Sequence, residues 1–354
     1  MIDTQTIRIQ QTSQSRIDTL DESNIPFGQL YSDHMFVADY TNGEWKDLRI
    51  APYQNISISP ANSALHYGIT IFEGLKAYRN PQGEVMIFRP DANAKRLNIS
   101  AERMCIPEVP ESLFMEALTE LVKLDNSWVP SSPNTALYIR PFVFGTDEYI
   151  GIRPSQNFRF MIITCPVGSY YSQPVNVKIE TEYSRAVEGG TGFAKAGGNY
   201  AASLYPAKLA QEKGFHQLVW TDAKTHQFIE ESGTMNIMFV VDGKLITAPT
   251  SGTILKGITR DSVLTIARDW GMEVEERPIA VKEIVSAAKE GRIQEAFGVG
   301  TAATIAPIAK IGFEEDTYEL KHSDQGEFSS KILKELNDIR TGVIEDRYGW
   351  TFKV

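Results

Sequence analysis

The chain has 354 residues, of which 42% are hydrophobic and 23% are charged, as in typical globular proteins. Its formal net charge of −10 excludes a broad basic face for phosphate backbones, so we expect no nucleic-acid partner. Its apolar runs fall well short of the roughly 18 residues that a membrane span requires, so we expect no membrane partner.

The first 23 residues are polar and include several acidic side chains. They lack the basic stretch and apolar core of a secretory signal, and acidic residues are untypical of an organelle transit peptide. The two cysteines, Cys105 and Cys165, belong to no CxxC motif. This cysteine usage excludes a disulfide framework and fits a reducing compartment. We therefore expect a cytoplasmic protein without a metal site.

Several elements can be predicted along the chain. Residues 135–145 and 158–168 are rich in β-branched and aromatic residues and end on glycine, which predicts two strands. Asp242-Gly243, between the apolar runs of 236–249, predicts a hairpin. Apolar residues at helical spacing predict three helices, over 259–271, 280–291 and 329–342.

Strands and helices alternate without a strict βαβ rhythm, which predicts α+β domains, and the length of the chain favours two of them. The segment 165–176 contains two prolines and a glycine and is the candidate linker. We expect a smaller N-terminal α/β domain over 1–168, an interdomain linker over 169–177 and a larger C-terminal domain over 178–354.

The stretch TGFAKAGGNY (191–200) sets Lys195 among small residues. A GxxxxGKS/T phosphate loop is excluded because alanines flank this lysine. In water-poor surroundings, desolvation disfavours the charged amine, and a neutral amine can form a Schiff base with a carbonyl. Pyridoxal phosphate requires such a lysine, with an acidic partner for its ring nitrogen and donors for its phosphate. From this segment alone, an ordinary lysine in a flexible surface loop stays the open alternative.

Three further segments suit the same cofactor. Glu230 and Glu231 precede a Gly-Thr turn, where a carboxylate could face a pyridine nitrogen or both could simply solvate the turn. A glycine turn opens a predicted helix in LKGITRDS (255–262), and backbone N–H groups at such a start favour an anion. FGVGTAAT (297–304) is a second Gly-Thr turn after an apolar strand.

Seven motifs in this order resemble the branched-chain amino acid aminotransferases, which are fold type IV pyridoxal phosphate enzymes: LHYGITIFEGLKAY (65–78), FRPDANAKRL (88–97), LYIRP (137–141), KAGGNY (195–200), ESGTMN (231–236), LKGITR (255–260) and FGVGTA (297–302). The resemblance runs from about residue 20 to the C-terminus. It implies the two-domain α+β architecture of the D-amino acid aminotransferase type, with pyridoxal phosphate in the C-terminal domain.

The resemblance also implies the residues that bind the cofactor. Lys195 would form the Schiff base and then act as general base and acid at the substrate α-carbon. Glu231 would pair with the pyridine nitrogen, and Tyr200 would bind the phenolic oxygen. Arg96, rather than the neighbouring Arg89, matches the phosphate arginine. Four further positions match residues near the phosphate or the ring: Ile258 and Thr259 through their backbone N–H groups, Thr301, and Arg185, for which a surface ion pair is the alternative.

On the substrate side, the resemblance assigns an apolar pocket to three aromatic residues, Tyr67, Phe72 and Tyr138. Ordinary core positions are the alternative for Phe72 and Tyr138. Arg140 lies two residues after Tyr138 on the same predicted strand, so it shares a face with it and could meet the side-chain carboxylate of glutamate. The substrate α-carboxylate would lie on the Thr301-Ala302 turn.

These features lead us to expect a branched-chain-amino-acid transaminase of branched-chain amino acid biosynthesis. It would reversibly transfer the amino group of L-leucine, L-isoleucine or L-valine to 2-oxoglutarate, giving branched-chain 2-oxo acids and L-glutamate. Family members are generally homodimers, so we expect one here. D-amino acid aminotransferases and aminodeoxychorismate lyases share the fold, but LYIRP and LHYGITIFEG favour the branched-chain enzymes. A non-catalytic binding protein is disfavoured because Lys195 and Glu231 are both present. Ala303 and Ala306 replace the CxxC of some members, so thiol regulation of that kind is not expected.

Overall fold

The computed structural model describes residues 6–171, 173–320 and 326–354. Contacts between α-carbons divide the chain into two units. Unit 1 comprises the residues up to Tyr170, the short segment Ala194–Gly197 and the C-terminal segment Asp338–Val354. Unit 2 comprises Tyr171–Phe193 and Gly198–Asn337. The chain thus passes between the units inside the expected linker, of which residue 172 lies outside the described residues.

The described residues of unit 1 form a nine-stranded sheet. Its strands are β1 (Arg8–Ile9), β2 (His34–Thr41), β3 (Glu44–Pro52), β4 (Thr70–Phe72), β5 (Leu75–Arg79), β6 (Val85–Phe88), β7 (Ala136–Gly145), β8 (Phe158–Val167) and β19 (Thr351–Lys353). Their order is β1-β3-β2-β8-β7-β5-β6-β19, with β4 paired to β7. All pairs are antiparallel except β1 with β3. Strands β7 and β8 confirm the two predictions made for 135–145 and 158–168.

Unit 1 gains two segments that the sequence-based limits placed in the C-terminal domain. The C-terminal strand β19 pairs with β6, which brings Asp338–Val354 into unit 1. Ala196 forms an isolated bridge with Ile71 of β4, which brings Ala194–Gly197 there. Both differences arise from strand pairing between residues far apart in sequence. Such pairing leaves no pattern within a single segment from which it could be predicted.

The two faces of this sheet carry different side chains. Alternate residues of β5 and β7 pack with the helices α2 (Pro90–Arg103) and α3 (Glu111–Leu124) in one core, which includes Leu75, Ala77, Leu97, Phe114, Leu137 and Ile139. On the opposite face, Lys76, Tyr138 and Cys165 are direct partners across β5, β7 and β8. Residues paired in this way project to the same side of a sheet. Helix α1 (Ser63–Tyr67) and two 3₁₀ helices, Ile17–Thr19 and Asn126–Trp128, complete the described regular structure of the unit.

The described residues of unit 2 form a ten-stranded sheet. Its strands are β9 (Val175–Ile179), β10 (Gln217–Thr221), β11 (Phe228–Ser232), β12 (Met235–Val241), β13 (Lys244–Thr247), β14 (Val274–Glu276), β15 (Ile279–Ala280), β16 (Ile293–Gly300), β17 (Thr304–Phe313) and β18 (Asp316–Glu319). Their order is β14-β13-β12-β16-β17-β9-β10-β11-β15, and β18 pairs with β17. Because β11 also pairs with β12, six of the strands close into a ring. Closure removes open strand edges.

The hairpin and the three helices predicted for unit 2 are confirmed. Strands β12 and β13 are joined by Asp242 and Gly243, whose φ values of 50° and 79° are those of the expected tight turn. The predicted helices correspond to α6 (Ile258–Asp269), α7 (Val281–Lys289) and α8 (Glu327–Arg340), the last of which ends in unit 1. Helix α5 (Leu204–Glu212) also belongs to unit 2, and α4 (Gly197–Ala201) begins where the chain leaves unit 1.

Lys76 generates a prediction about stability. Burial, with a smaller contribution from the nearby Arg340 guanidinium, lowers the pKa of this amine from 10.5 to about 7. The unfolded chain keeps the proton up to the ordinary pKa, whereas the folded chain releases it above about 7, so this group makes the folded state more stable as pH rises between those values. We expect Lys76→Met to raise the urea midpoint at about pH 7 and to lose most of that advantage near about pH 10. An equal increase in the urea midpoint at both pH values would contradict this prediction. So would the same increase in the control Lys95→Met, which changes an exposed lysine.

Candidate active site

Lys195 is held by backbone contacts on both sides. Its N–H donates to Oγ of Ser100 over 2.9 Å, and its carbonyl accepts from the N–H of Phe72 over 3.0 Å. The adjacent Ala196 bridges Ile71 of strand β4. An ordinary lysine in a flexible surface loop would lack such contacts, so the structure disfavours that alternative.

The side chain of Lys195 is half-buried against an aromatic ring. Its Nζ lies 4.9 Å from the ring centroid of Phe72, within the range of a cation–π contact. Because the backbone is fixed on both sides, the amine is presented from a defined position. The range of positions open to the amine is thereby limited.

The two candidate phosphate arginines lie in different surroundings. Arg96, in α2, is buried and donates through Nε and Nη2 to the two carboxylate oxygens of Glu73, over 2.8 and 2.7 Å. Glu73 is fully buried and also accepts from Asn93 Nδ2 over 2.7 Å. Arg89 instead precedes α2, with its guanidinium carbon 5.3 Å from the ring centroid of Trp350. Sequence reasoning missed Glu73, although a carboxylate inside the apolar run ITIFEGL could have indicated it.

Phe72, Tyr138 and Arg140 form one cluster in unit 1. Arg140 Nη2 donates to the Tyr138 hydroxyl over 2.8 Å, and the guanidinium carbon lies 4.5 Å from the Phe72 centroid and 5.3 Å from that of Tyr138. The Nε of Arg140 is buried and has no hydrogen-bond partner within the described part of the chain. Tyr67 ends helix α1 and is 37% exposed, with its ring beside His66. The contacts of the described residues do not join Tyr67 to this cluster.

In unit 2, Glu231 is only 4% exposed, and its contacts include Leu255, Asn236 and Arg185. Its Oε1 accepts from the Leu255 N–H over 2.8 Å and from Asn236 Nδ2 over 3.2 Å. Its Oε2 lies 3.1 Å from Nη2 of Arg185, whose side chain is also buried. The alternative of a surface ion pair for Arg185 is therefore wrong.

Glu230, the neighbour of Glu231, has different surroundings. It is buried, and one carboxylate oxygen accepts from the Thr253 hydroxyl over 2.5 Å. Burial raises the pKa of Glu230 above its ordinary value. The two glutamates thus do not solvate a turn: Glu231 faces a guanidinium, and Glu230 faces a hydroxyl. The guanidinium beside it favours Glu231 over Glu230 as the carboxylate that would pair with a pyridine nitrogen.

Helix α6 begins as an anion site would require. Its first residues, Ile258 and Thr259, are buried, and the preceding Gly257 provides no side-chain cap. Partial positive charge at such an N-terminus favours an anion. A Cβ at Gly257 would lie 2.0 Å from Oδ1 of Asn236, so glycine is required there for close approach. Asn236 also donates to the Leu255 carbonyl over 3.0 Å and so links Glu231 to the segment that enters α6.

The remaining predicted residues of unit 2 lie on short elements. Thr301 and Ala302 form the turn between β16 and β17, and both are half-buried. Tyr200 lies in α4 and is half-buried as well. Among the described residues, no cluster of histidine, cysteine or acidic side chains could hold a metal ion. Within the same residues, no helix combines the length and the apolar composition that crossing a membrane demands.

Asn236 was missed by sequence reasoning and yields a prediction. In Asn236→Asp, a carboxylate would replace the amide donor beside Glu231 and the Leu255 carbonyl. We expect the free energy of unfolding to fall by about 2–4 kcal/mol at neutral pH, and by less in acid, where a protonated carboxyl can again donate. The control Asn98→Asp removes a similar amide contact, which is made to the Val109 carbonyl instead of to a carboxylate. Equal losses in the two variants, measured by urea unfolding, would count against the role of Glu231.

Comparison with known proteins identifies the family. Residues 70–311 match the model of the class IV amino-transferases. The chain is 44% identical to Branched-chain-amino-acid aminotransferase 2 of Bacillus subtilis (strain 168), over 99% of this chain and 97% of that protein. It is 45% identical to Branched-chain-amino-acid transaminase 1 of the same organism, over 94% of this chain and 95% of that protein.

A solved structure supports the same identification. The crystal structure of the branched-chain aminotransferase from the thermophilic archaeon Thermoproteus uzoniensis with norvaline has a TM-score of 0.74 and 27% identity, over 90% of this chain and 99% of that chain. The predicted fold type is thereby confirmed. The chain belongs to the class IV aminotransferases and, within them, to the branched-chain-amino-acid aminotransferases.

Proposed function

We propose that the protein transfers the amino group of L-leucine, L-isoleucine or L-valine to 2-oxoglutarate, with pyridoxal phosphate as its cofactor. The observation that carries the proposal is the placement of Lys195, whose backbone is held by Ser100 and Phe72 while its amine lies against an aromatic ring. The partners of the protein are then small amino acids and 2-oxo acids. Two free cysteines support a reducing, cytoplasmic location.

The chemistry of the available donors fits the cofactor. Arg96, the Thr301 turn and the N-terminal N–H groups of Ile258 and Thr259 would hold the phosphate. Glu231 would bind the ring nitrogen, and Arg185, which pairs with Glu231, would keep that carboxylate ionised. Tyr200 would donate to the phenolic oxygen. Once bound, the cofactor withdraws electrons from the substrate α-carbon.

Lys195 would then move the proton of the α-carbon. Its amine would act as the general base that removes this proton and as the general acid that delivers it to the C4′ position of a bound cofactor. The backbone contacts of Lys195 would limit the positions that its amine can take, and the Phe72 ring would cover one side of that amine. Thr301 and Ala302 would hold the substrate α-carboxylate, which orients the α-carbon toward the amine.

The visible absorption spectrum tests the proposal. We expect purified protein supplied with pyridoxal phosphate to be yellow and to lose that band when L-leucine is added without a 2-oxo acid. Lys195→Ala should bind the cofactor but lose nearly all turnover, whereas Lys208→Ala, at an exposed position of α5, should behave as wild type. A protein that ignores L-leucine and responds to D-alanine would belong functionally with the D-specific relatives. A protein that stays colourless would refute the role of Lys195.

Arg140 generates a second test, on the choice of substrate. Its buried Nε, without a partner in the described residues, supports a contact with the side-chain carboxylate of glutamate. We expect Arg140→Ala to lower kcat/KM for glutamate about 10- to 100-fold more than for leucine, because the aliphatic substrate does not need this contact. The control Arg159→Ala removes an arginine that pairs with Asp39 on β2, and it should leave kcat/KM unchanged for both glutamate and leucine. Equal losses for both substrates would remove the argument for a dual pocket.

We further propose that the protein is a homodimer. Unit 1 exposes apolar side chains at Leu65 of α1 and at Ile150 and Ile152 of the loop between β7 and β8, and the bridge between Asn62 and Glu148 holds these segments together. Exposed apolar surface of this kind marks a protein interface. Light scattering should give twice the mass of the chain, and Ile152→Lys should shift it toward the monomer. A wild-type protein of monomer mass would exclude this assembly.

A further inference from the structure

We propose that Ser100 is a positioning residue for Lys195. Its hydroxyl fixes the backbone of the lysine relative to helix α2 and to Arg96, the proposed phosphate ligand. The inference rests on the proposed function, since it concerns the lysine and the arginine of that site. It concerns only residues of unit 1.

Ser100 is joined to Lys195 by a hydrogen bond that spans 95 positions of the sequence. The serine Oγ accepts from the Lys195 N–H over 2.9 Å and donates to the Arg96 carbonyl over 3.2 Å. Ser100 is fully buried, so water does not compete for either contact. The hydroxyl therefore has one fixed donor and one fixed acceptor direction.

A closed ring of contacts joins Ser100 and Lys195 to the residues around them. Lys195 accepts from the Phe72 N–H over 3.0 Å, and Glu73, the next residue, pairs through both oxygens with Arg96. Arg96 lies one helical turn before Ser100 and accepts from the serine hydroxyl through its carbonyl. The same hydroxyl accepts from the Lys195 N–H, which closes the ring of contacts. These contacts thus fix the lysine backbone and the arginine side chain relative to each other.

Serine in a helix often donates to the carbonyl four residues earlier, so that contact alone would be unremarkable. The same bond occurs in α3, where the Thr119 hydroxyl donates to the Met115 carbonyl over 2.7 Å. Ser100 differs because it also receives the backbone N–H of Lys195. Without the hydroxyl the Lys195 N–H would lose this acceptor, so we expect the lysine segment to be held less firmly.

The experiment compares Ser100→Ala, Ser100→Thr, which keeps the hydroxyl, and the matched control Thr119→Val, which removes only a helical back-bond. Hydrogen exchange of the Lys195 amide is measured in the protein without cofactor. In the holoenzyme, kcat and KM for L-leucine and the thermal midpoint are measured. We expect Ser100→Ala to exchange this amide about tenfold faster and to lose about tenfold in kcat, with KM nearly unchanged. Ser100→Thr should recover both values, and Thr119→Val should match wild type.

Several results would overturn the proposal. Wild-type exchange and wild-type kcat in Ser100→Ala would do so. So would a kcat loss that follows a lowered thermal midpoint and is not recovered in Ser100→Thr, since that pattern indicates a structural role only. If Ser100→Ala does not fold, Ser100→Cys, with a similar shape and a weak acceptor, is expected to show the same two changes, and wild-type behaviour in it would equally refute the proposal.

The proposed function and the role of Ser100 can fail separately. If wild-type protein shows no spectral response to L-leucine, the proposed function fails, whatever the serine variants do. If wild type responds and Ser100→Ala cannot be distinguished from it, the positioning role alone fails.

Discussion

A charge that is taken out of water must be given a partner, and this constraint governs the placement of the functional side chains in both units. In unit 1 the buried guanidinium of Arg96 is matched by the fully buried carboxylate of Glu73. In unit 2 the buried carboxylate of Glu231 is matched by Arg185. Each pair has further hydrogen bonds to the chain, which favourable burial of an ion pair requires. Each arginine or glutamate is therefore held in a defined orientation by the protein itself.

The constraint extends from the side chains to the backbone around them. Glu73 follows Phe72, whose N–H donates to Lys195, so the ion pair and the lysine share one stretch of strand β4 and its continuation. Glu231 accepts from the N–H of Leu255, which lies just before helix α6, so the same carboxylate also fixes the approach to the N-terminus of that helix. In both units, a residue that would hold one part of the ligand is thus tied by direct hydrogen bonds to a segment that would hold another part.

Much of this arrangement could be predicted from the sequence because the signals are local. Strand β7, the turn at Asp242-Gly243 and helix α6 follow from residue types and spacing within a single segment. The shared face of Tyr138 and Arg140 follows in the same way from the period of a strand. The candidate cofactor and substrate residues came instead from the order of several motifs, which no single segment could supply. What could not be predicted depends on contacts between distant segments: the pairing of β19 with β6, the bridge from Ala196 to Ile71, the bond from Lys195 to Ser100, and the contacts of Asn236 with Glu231 and Leu255.

The surroundings of Arg140 show how one pocket could serve both a neutral and an acidic side chain. A guanidinium beside an aliphatic substrate would ordinarily carry a large desolvation cost, because no anion offsets its charge. Here the guanidinium lies over the faces of Phe72 and Tyr138 and donates to the Tyr138 hydroxyl, so part of its charge is already compensated by the protein. The Nε–H, which has no acceptor in the described chain, is left for a carboxylate. Partial compensation by aromatic faces is weaker than a full ion pair, so under the proposed function an aliphatic side chain would be tolerated beside Arg140 while the carboxylate of glutamate would gain a contact.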